Sequence, residues 1–259
     1  MYALSIVVHL SDLHFGREDR DVVDALIAQI QQIQPQVIAV SGDFTQRARR
    51  GQFRRARAFL DALPFPALVV PGNHDVPLFN VFARMFDPLG GYRRHITTDL
   101  TPAFSDDTVV LVGMDTTKPA SVKQAKVHAH DVARICAYVQ PFAESVVRIL
   151  VAHHPFEPGA GSALEGLTHG GIDVFLTGHL HVSSAGHTAS RHNVAGRSAL
   201  VVEAGTATST RLRGETNAFN VLTVESTAIV VERFEWQLPA FRSAEIQRFR
   251  RTEAGWASL

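Results

Sequence analysis

Apolar positions along this chain follow two alternating rhythms. Leu4 to Leu10 is a short apolar run, whereas Val22, Val23, Leu26, Ile27, Ile30 and Ile33 recur at the spacing of one helical face. Pro35 closes that helix and Val37 to Val40 reads as a short buried strand, so the segment predicts a βαβ unit. Gln52 to Leu63 repeats the helical pattern until Pro64 and Pro66 stop it, and Ala67 to Val70 is the next strand. Further strand-like runs cover Val109 to Val112, Val146 to Ala152, Asp173 to Leu176 and Ala199 to Glu203. Phe219 to Val224 and Ala228 to Phe234, separated by Glu225-Ser226-Thr227, predict an antiparallel hairpin.

Three stretches break these rhythms. Pro77 to Tyr92 is rich in Leu, Phe, Met and Val, and its Leu78, Phe79, Phe82, Met85 and Phe86 fit either an apolar substrate pocket or the packed face of a short helix. Ala185 to Ser198 is rich in Gly, Ser, His and Arg and reads as loop. Ile246, Phe249 and Trp256, set among Arg242, Arg248, Arg250 and Arg251, predict a basic amphipathic helical tail over 241–259. Such a tail would dock on the domain or lie on a membrane surface.

Composition narrows the function classes. The 259 residues are 46% apolar, enough for a sizeable core, and carry no net charge with His neutral, so any phosphate binding must be local. That weakens a nucleic-acid reading. Cys136 is the single cysteine, so there is no intramolecular disulfide and no CxxC pair, and it is expected to be a packed thiol. No small-residue cleavage site follows the first apolar run, which is therefore read as a strand and not a signal peptide. No apolar stretch approaches the roughly 20 residues that cross a bilayer, so the default location is the cytoplasm.

The chemistry lies where the strands end. In order these blocks are Asp12-x-His14, Gly42-Asp43, Gly72-Asn73-His74-Asp75, His153-x-Pro155 and Gly178-His179-x-His181. Carboxylate, amide oxygen and imidazole suit Mn²⁺, Fe or Zn²⁺, and the lack of thiolate disfavours a structural zinc. In an extended segment residues two apart point the same way, which predicts that Asp12 with His14, and His179 with His181, each present two ligands. Any one block is weak, but five in order after strands are a strong signal. Blocks from Asp12 to His181 must converge, so residues 1–259 are expected to form a single domain.

In this order the blocks resemble the calcineurin-like metallophosphoesterase family, whose pattern is DxH, GD, GNHD or GNHE, H, and GHxH. The resemblance implies a four-layer α/β/β/α sandwich of two mixed sheets flanked by helices. It assigns Asp12, His14 and His181 to one metal and Asn73, His153 and His179 to a second, with Asp43 bridging. It also implies a metal-bridging hydroxide as nucleophile, in-line attack on phosphorus and no covalent enzyme intermediate. His74 corresponds to the family's non-ligand histidine, which stabilises the transition state or protonates the leaving oxygen, with Asp75 expected to fix its tautomer. His153 is preferred to His154 because the ligand sits two before the proline, and His154 is expected to orient it.

Details between the blocks select a branch. Gln46 stands where purple acid phosphatases carry an iron-binding tyrosine, and protein Ser/Thr phosphatases carry GDxVDRG where this chain reads Gly42-Asp43-Phe44-Thr45-Gln46. The chain looks most like the bacterial branch that includes class III cyclic-nucleotide phosphodiesterases, which implies a small phosphodiester or nucleotide substrate. The alternatives are a lipid-linked pyrophosphatase such as a UDP-2,3-diacylglucosamine hydrolase and a non-catalytic scaffold of the same fold. Substrate contacts are expected from Arg47, at the start of the arginine-rich run 47–57, and from Arg213, with Arg211 a similar candidate. His128 and His130 are read as a solvated helix start beside Asp131, and His169 as a helix-end residue.

Overall fold

Strands with apolar residues on both faces bury two sides at once, and here they form the middle of a layered molecule. In the computed structural model, residues 4–118, 127–156, 162–187, 197–211 and 214–259 are described. The chain begins β1 (Ser5–Leu10), α1 (Arg20–Ile33), β2 (Val37–Val40), α2 (Arg50–Asp61) and β3 (Ala67–Val69). A 3₁₀ turn (Asn73–Asp75), α3 (Val81–Phe86) and α4 (Gly90–His95) lead to β4 (Ala103–Ser105) and β5 (Val109–Met114). There follow α5 (Ala129–Val139), β6 (Val147–Ala152), α6 (Ala163–His169), β7 (Val174–Thr177), β8 (Ser184–His187) and β9 (Leu200–Glu203). The chain ends with β10 (Ala218–Val224), β11 (Ala228–Gln237), β12 (Ala240–Thr252) and β13 (Gly255–Ser258).

Spatial order is β13-β12-β11-β10-β1-β2-β3 in one sheet and β4-β5-β6-β7-β9-β8 in the other. Both are mixed: β1, β2 and β3 run parallel while β10 joins β1 antiparallel, and β5, β6, β7 and β9 run parallel with β4 and β8 antiparallel at the edges.

Period-two alternation sorts the side chains into layers. Val7, Val37 and Ala39 meet Val109, Leu111, Ile149, Val151 and Leu176 between the sheets. The opposite face, Val8, Leu10, Ile38 and Val40, packs on Val22, Leu26 and Ile30 of α1 and Phe53, Ala56 and Phe59 of α2. Val110, Val112, Leu150 and Phe175 of the second sheet pack on Ile135 and Val139 of α5 and Leu164 and Leu167 of α6. Helix, sheet, sheet, helix is the expected four-layer sandwich. Each such aliphatic side chain, fully buried, contributes roughly 1.5–3 kcal/mol.

Local signals set the helix that joins β1 to β2. Asp19 caps α1 by accepting from the Asp21 N–H, and Gln34 ends it with a φ of +54° just before Pro35. The crossover therefore returns to β2 beside β1, and both strands end at the same rim.

The C-terminal segment differs from expectation. Residues 241–259 form no helical tail; they make most of β12 and all of β13, adding two antiparallel strands to the first sheet. Phe241, Phe249 and Trp256 are buried, while Arg242, Arg248 and Arg250 are exposed and Arg251 is half-buried against Asp173. Trp256 also donates its indole N–H to Asp173, and the Arg251 guanidinium lies 5.1 Å from its ring.

The stretch after His74 also departs from core packing. No residue of α3 is buried, and Phe79, Phe82 and Phe86 are 75%, 80% and 79% exposed. The space against α2 is already filled by Leu89 and Tyr92, with the Phe53 ring seated against Gly91. Of the expected loop at Ala185–Ser198, the part in β8 is a strand paired with β9, and residues 188–196 lie outside the described residues.

Candidate metal centre

Polar residues collect at the carboxyl ends of β1, β2, β3, β6 and β7, where open α/β sheets bind ligands. Asp12 Oδ1 lies 3.4 Å from both His14 Nε2 and His181 Nε2, and those two nitrogens are 3.4 Å apart. A second group has Asn73 Oδ1 at 3.1 Å from His153 Nε2 and 2.9 Å from His179 Nδ1. Asp43 Oδ2 stands between the groups, 3.7 Å from His14 Nε2 and 3.5 Å from His153 Nε2. All seven expected ligands therefore converge, with Asp43 in the middle.

The atoms around these groups leave the right ones bare. Asp12 Oδ2 accepts from the Ser11 hydroxyl and from the His179 backbone N–H, so Oδ1 is buried with no hydrogen-bond partner. Asp43 Oδ1 accepts from the His74 N–H at 2.7 Å, leaving Oδ2 toward the histidines. His153 Nδ1 donates to the Ser41 carbonyl, which fixes the tautomer and turns the Nε2 lone pair inward. His181 Nδ1 is similarly held 2.7 Å from Thr206 Oγ1.

Electrostatics agree with a cation site. Burial, then the neighbouring carboxylates of Asp12 and Asp75, push the Asp43 carboxyl well above the ordinary carboxylate range. Burial lowers His153 to about 4, so its imidazole is neutral and able to ligate. Buried carboxylates crowded against bare imidazole nitrogens are costly unless positive charge joins them, and oxygen and nitrogen donors suit Mn²⁺, Fe or Zn²⁺. The residues present fit two divalent cations.

Backbone geometry marks the same residues. Asp12, His14, Asp43, His179 and His181 have φ values of +54°, +47°, +56°, +72° and +60°. The only other non-glycine residues with positive φ among those described are Gln34 and Ala48, so this strain is concentrated at the ligands. Each such residue costs on the order of 1–3 kcal/mol and persists only where the surroundings enforce it. Ligand pairs therefore converge through left-handed turns beyond the strand ends, and not through the alternation of an extended strand. Close approach also explains Gly72, where a β-carbon would stand 2.2 Å from Asp43 Oδ1.

His74 is held differently from expectation. Its Nδ1 donates to the Gln46 carbonyl at 2.8 Å, and its Nε2 accepts from Arg211 Nη1 at 2.8 Å. Asp75 does not fix this tautomer. Its buried carboxylate instead accepts from the N–H groups of Gly72, Phe44 and Thr45 and from the Thr45 hydroxyl, tying the second and third blocks together. Burial raises Asp75 to about 6 against the pull of those donors, and burial together with nearby His14 lowers His74 to about 3.

Other candidates sort by position. Arg47 is exposed, with its guanidinium 5.8 Å from the Phe79 ring, and shares a cleft with Gln46, Asn73, His74 and Arg211. Arg213 lies outside the described residues, whereas Arg211 reaches His74 directly. His154 Nδ1 pairs with Thr116 Oγ1 and its ring meets the His153 ring edge-on, with centroids 4.9 Å apart, while the His153 Nδ1 hydrogen bond goes to Ser41. Ser41, Gln46 and Thr206 escape sequence reasoning, the first two because they act through backbone carbonyls that any residue supplies. His128 precedes α5 with its N–H donating to Asp131, as expected of a helix start, and His169 ends α6.

Comparison with known proteins adds four findings. A family model described as calcineurin-like phosphoesterase matches residues 6–183. Glycerophosphodiester phosphodiesterase GpdQ of Enterobacter lignolyticus (strain SCF1) is 32% identical over 81 residues, which cover 27% of this chain and only 29% of that enzyme. Among solved structures, a dimetal phosphatase from Danio rerio superposes with a TM-score of 0.63 at 14% identity, covering 94% of this chain and 98% of the other. The purple acid phosphatase PPD1 of yellow lupin (Lupinus luteus) gives 0.69 at 10% identity, over 95% of this chain and about half, 54%, of the lupin chain. At such identities the structural likeness concerns the fold alone.

Proposed function

The chain belongs to the calcineurin-like phosphoesterase family, and from that membership we propose that it hydrolyses phosphodiesters with two divalent cations. One group of ligands would be Asp12, His14 and His181, the other Asn73, His153 and His179, and Asp43 would be shared. The observation that carries this reading is Asp43 Oδ2, poised between His14 Nε2 and His153 Nε2. Two cations held there would polarise the phosphoryl oxygens and lower the pKa of an attacking water.

The chain's own residues supply the rest. His74 keeps its proton on Nδ1, directed at the Gln46 carbonyl, and presents Nε2 to Arg211. This places a guanidinium at the mouth of the site, where it stabilises negative charge on the phosphoryl group and on the leaving oxygen. Asp75 keeps the Asp43 and Asn73 loops in register through its four donors. Similarity to the glycerophosphodiesterase favours a diester over a monoester, and a cyclic nucleotide is one such diester.

The test is a panel of bis(p-nitrophenyl) phosphate, cyclic AMP, a glycerophosphodiester and p-nitrophenyl phosphate with Mn²⁺, Fe²⁺ and Zn²⁺ in turn. Diesters should be turned over faster than the monoester. Faster monoester hydrolysis, or no turnover with any metal, would overturn the reading.

A second reading rests on the exposed Phe79, Phe82, Met85 and Phe86 beside the mouth, an apolar patch of the kind that contacts partners or lipid. It favours a lipid-linked pyrophosphate as substrate. Activity on a detergent-dispersed UDP-lipid far above that on cyclic AMP would decide for it.

A further inference from the structure

Beside the candidate metal centre lies a cleft of about 560 Å³ lined by Gly16, Arg17, Gln46, Arg47, Arg49, Gln52, Thr210 and Arg211. A smaller cleft shares its Gln46, Arg47 and Arg211 and adds Asn73 and His74, so the arginine cleft adjoins the one that reaches the ligands. The chain as a whole is neutral, yet four of its cationic side chains line this one cleft and no acidic residue does. Among the described residues none of the four guanidiniums is paired with a carboxylate. Glu18, the nearby acid, is already engaged by Arg55 and the Gly16 N–H.

The walls are built, not incidental. On one side, Arg17 N donates to the His14 carbonyl, and the Arg17 carbonyl accepts from the Thr210 N–H and hydroxyl. The Thr208 hydroxyl donates to the Leu13 carbonyl, so the loops carrying Arg17 and Arg211 are laced together. On the other side, Gln52 Oε1 accepts from the backbone N–H groups of both Arg47 and Arg49. The Gln52 amide fills the place of a Gly16 side chain, since a β-carbon there would stand 2.2 Å from Nε2. Three segments distant in sequence thus hold four arginine backbones around one space.

We propose that this cleft binds a second phosphate group, carried on one arm of the phosphodiester whose other phosphorus lies at the metal centre. The inference rests on the phosphodiesterase reading and narrows its substrate class. A phosphate monoester carries close to two negative charges near neutral pH and accepts paired hydrogen bonds from guanidinium, which Arg17, Arg47 and Arg49 supply, while Arg211 stands between them and His74. A simple diester offers the cleft nothing to neutralise.

The test separates this idea from the hydrolase reading. Calorimetric titration of the metal-free protein would compare the p-nitrophenyl phosphodiester of thymidine with the same compound bearing a second phosphate on its sugar. The phosphorylated probe should bind at least about tenfold more tightly, an advantage that shrinks at high salt. In the Arg17→Gln/Arg49→Gln protein, whose altered side chains are exposed and outside the core, the advantage should disappear. Equal affinities, or an advantage that survives both substitutions, would overturn the proposal. If the preference is present but no p-nitrophenolate is released by Mn²⁺-loaded protein, the cleft stands and the hydrolase reading falls.

Discussion

The imidazole of His74 directs Nδ1 at the carbonyl oxygen of Gln46, 2.8 Å away, and this contact alone fixes which nitrogen faces the site. A carbonyl only accepts, so the proton is on Nδ1 and the lone pair on Nε2 meets Arg211. His74 and Arg211 form one unit. His74→Ala and Arg211→Gln should each lower kcat by about 10²–10⁴-fold, and the double variant should lose little more than either single one. Additive losses in a double-mutant cycle would show that the two side chains act separately.

Asp75 is freed from that role and acquires a structural one. Replacing it by Asn turns an amide N–H₂ toward donors now satisfied by a carboxylate, with an expected loss of about 2–3 kcal/mol of stability. Thermal unfolding of metal-free protein measures this directly. An unchanged Tm together with a large fall in kcat would return Asp75 to the role of orienting His74.

Metal content tests the bridging position from two directions. Asp43→Ala removes the shared ligand and should leave purified protein with less than one metal per chain by elemental analysis. His74→Ala should keep both. Gly72→Ala leaves every ligand in place but forces a methyl group against Asp43 Oδ1, and its metal content should also fall while circular dichroism stays native. Full occupancy in the Gly72 variant would show that the loop can yield.

His9 supplies a pH dependence. It is buried on β1, with Nε2 beside Ser41 Oγ, and burial lowers it from 6.5 to about 3. The unfolded chain therefore binds one more proton than the native protein between those values. Stability is full above pH 6.5 and declines as pH falls toward 3, by up to about 1.4 kcal/mol per pH unit. His9→Gln keeps a partner for Ser41 and removes this titration, so its metal-free Tm should fall less steeply with acid. Parallel curves for the two proteins would sink the assignment.

Much of the fold is legible because strands such as β5 and β6 are short, almost wholly apolar runs, and each central strand runs straight into a polar block. The ligand set is legible for the same reason: Asp12, Asp43, Asn73, His153 and His179 all follow strand ends, and the strand order carries them to one rim. Loop geometry is not legible. Nothing in Asp12-x-His14 announces a left-handed backbone, and the contacts that orient His153 and His74 come from the main-chain carbonyls of Ser41 and Gln46. In the tail, Phe249 and Trp256 are seven residues apart, a spacing that mimics a helical face. A reversal between β12 and β13 instead sets Arg251 opposite Trp256 and brings both aromatics to one buried surface. The Phe79 to Phe86 patch fits two readings in the sequence for another reason, since hydrophobicity alone does not reveal that Tyr92 and Phe53 have already filled the core.

The left-handed ligands have a consequence for anyone who engineers this protein. Asp12, His14, Asp43, His179 and His181 sit where glycine would relax the metal-free backbone by about 1 kcal/mol apiece. A library selected only for heat resistance will therefore be drawn toward glycine at these positions, yielding sturdier molecules that have lost their donors. Selection for thermostability must be run in the presence of the metals, or with a screen for turnover, if the enriched sequences are to remain enzymes.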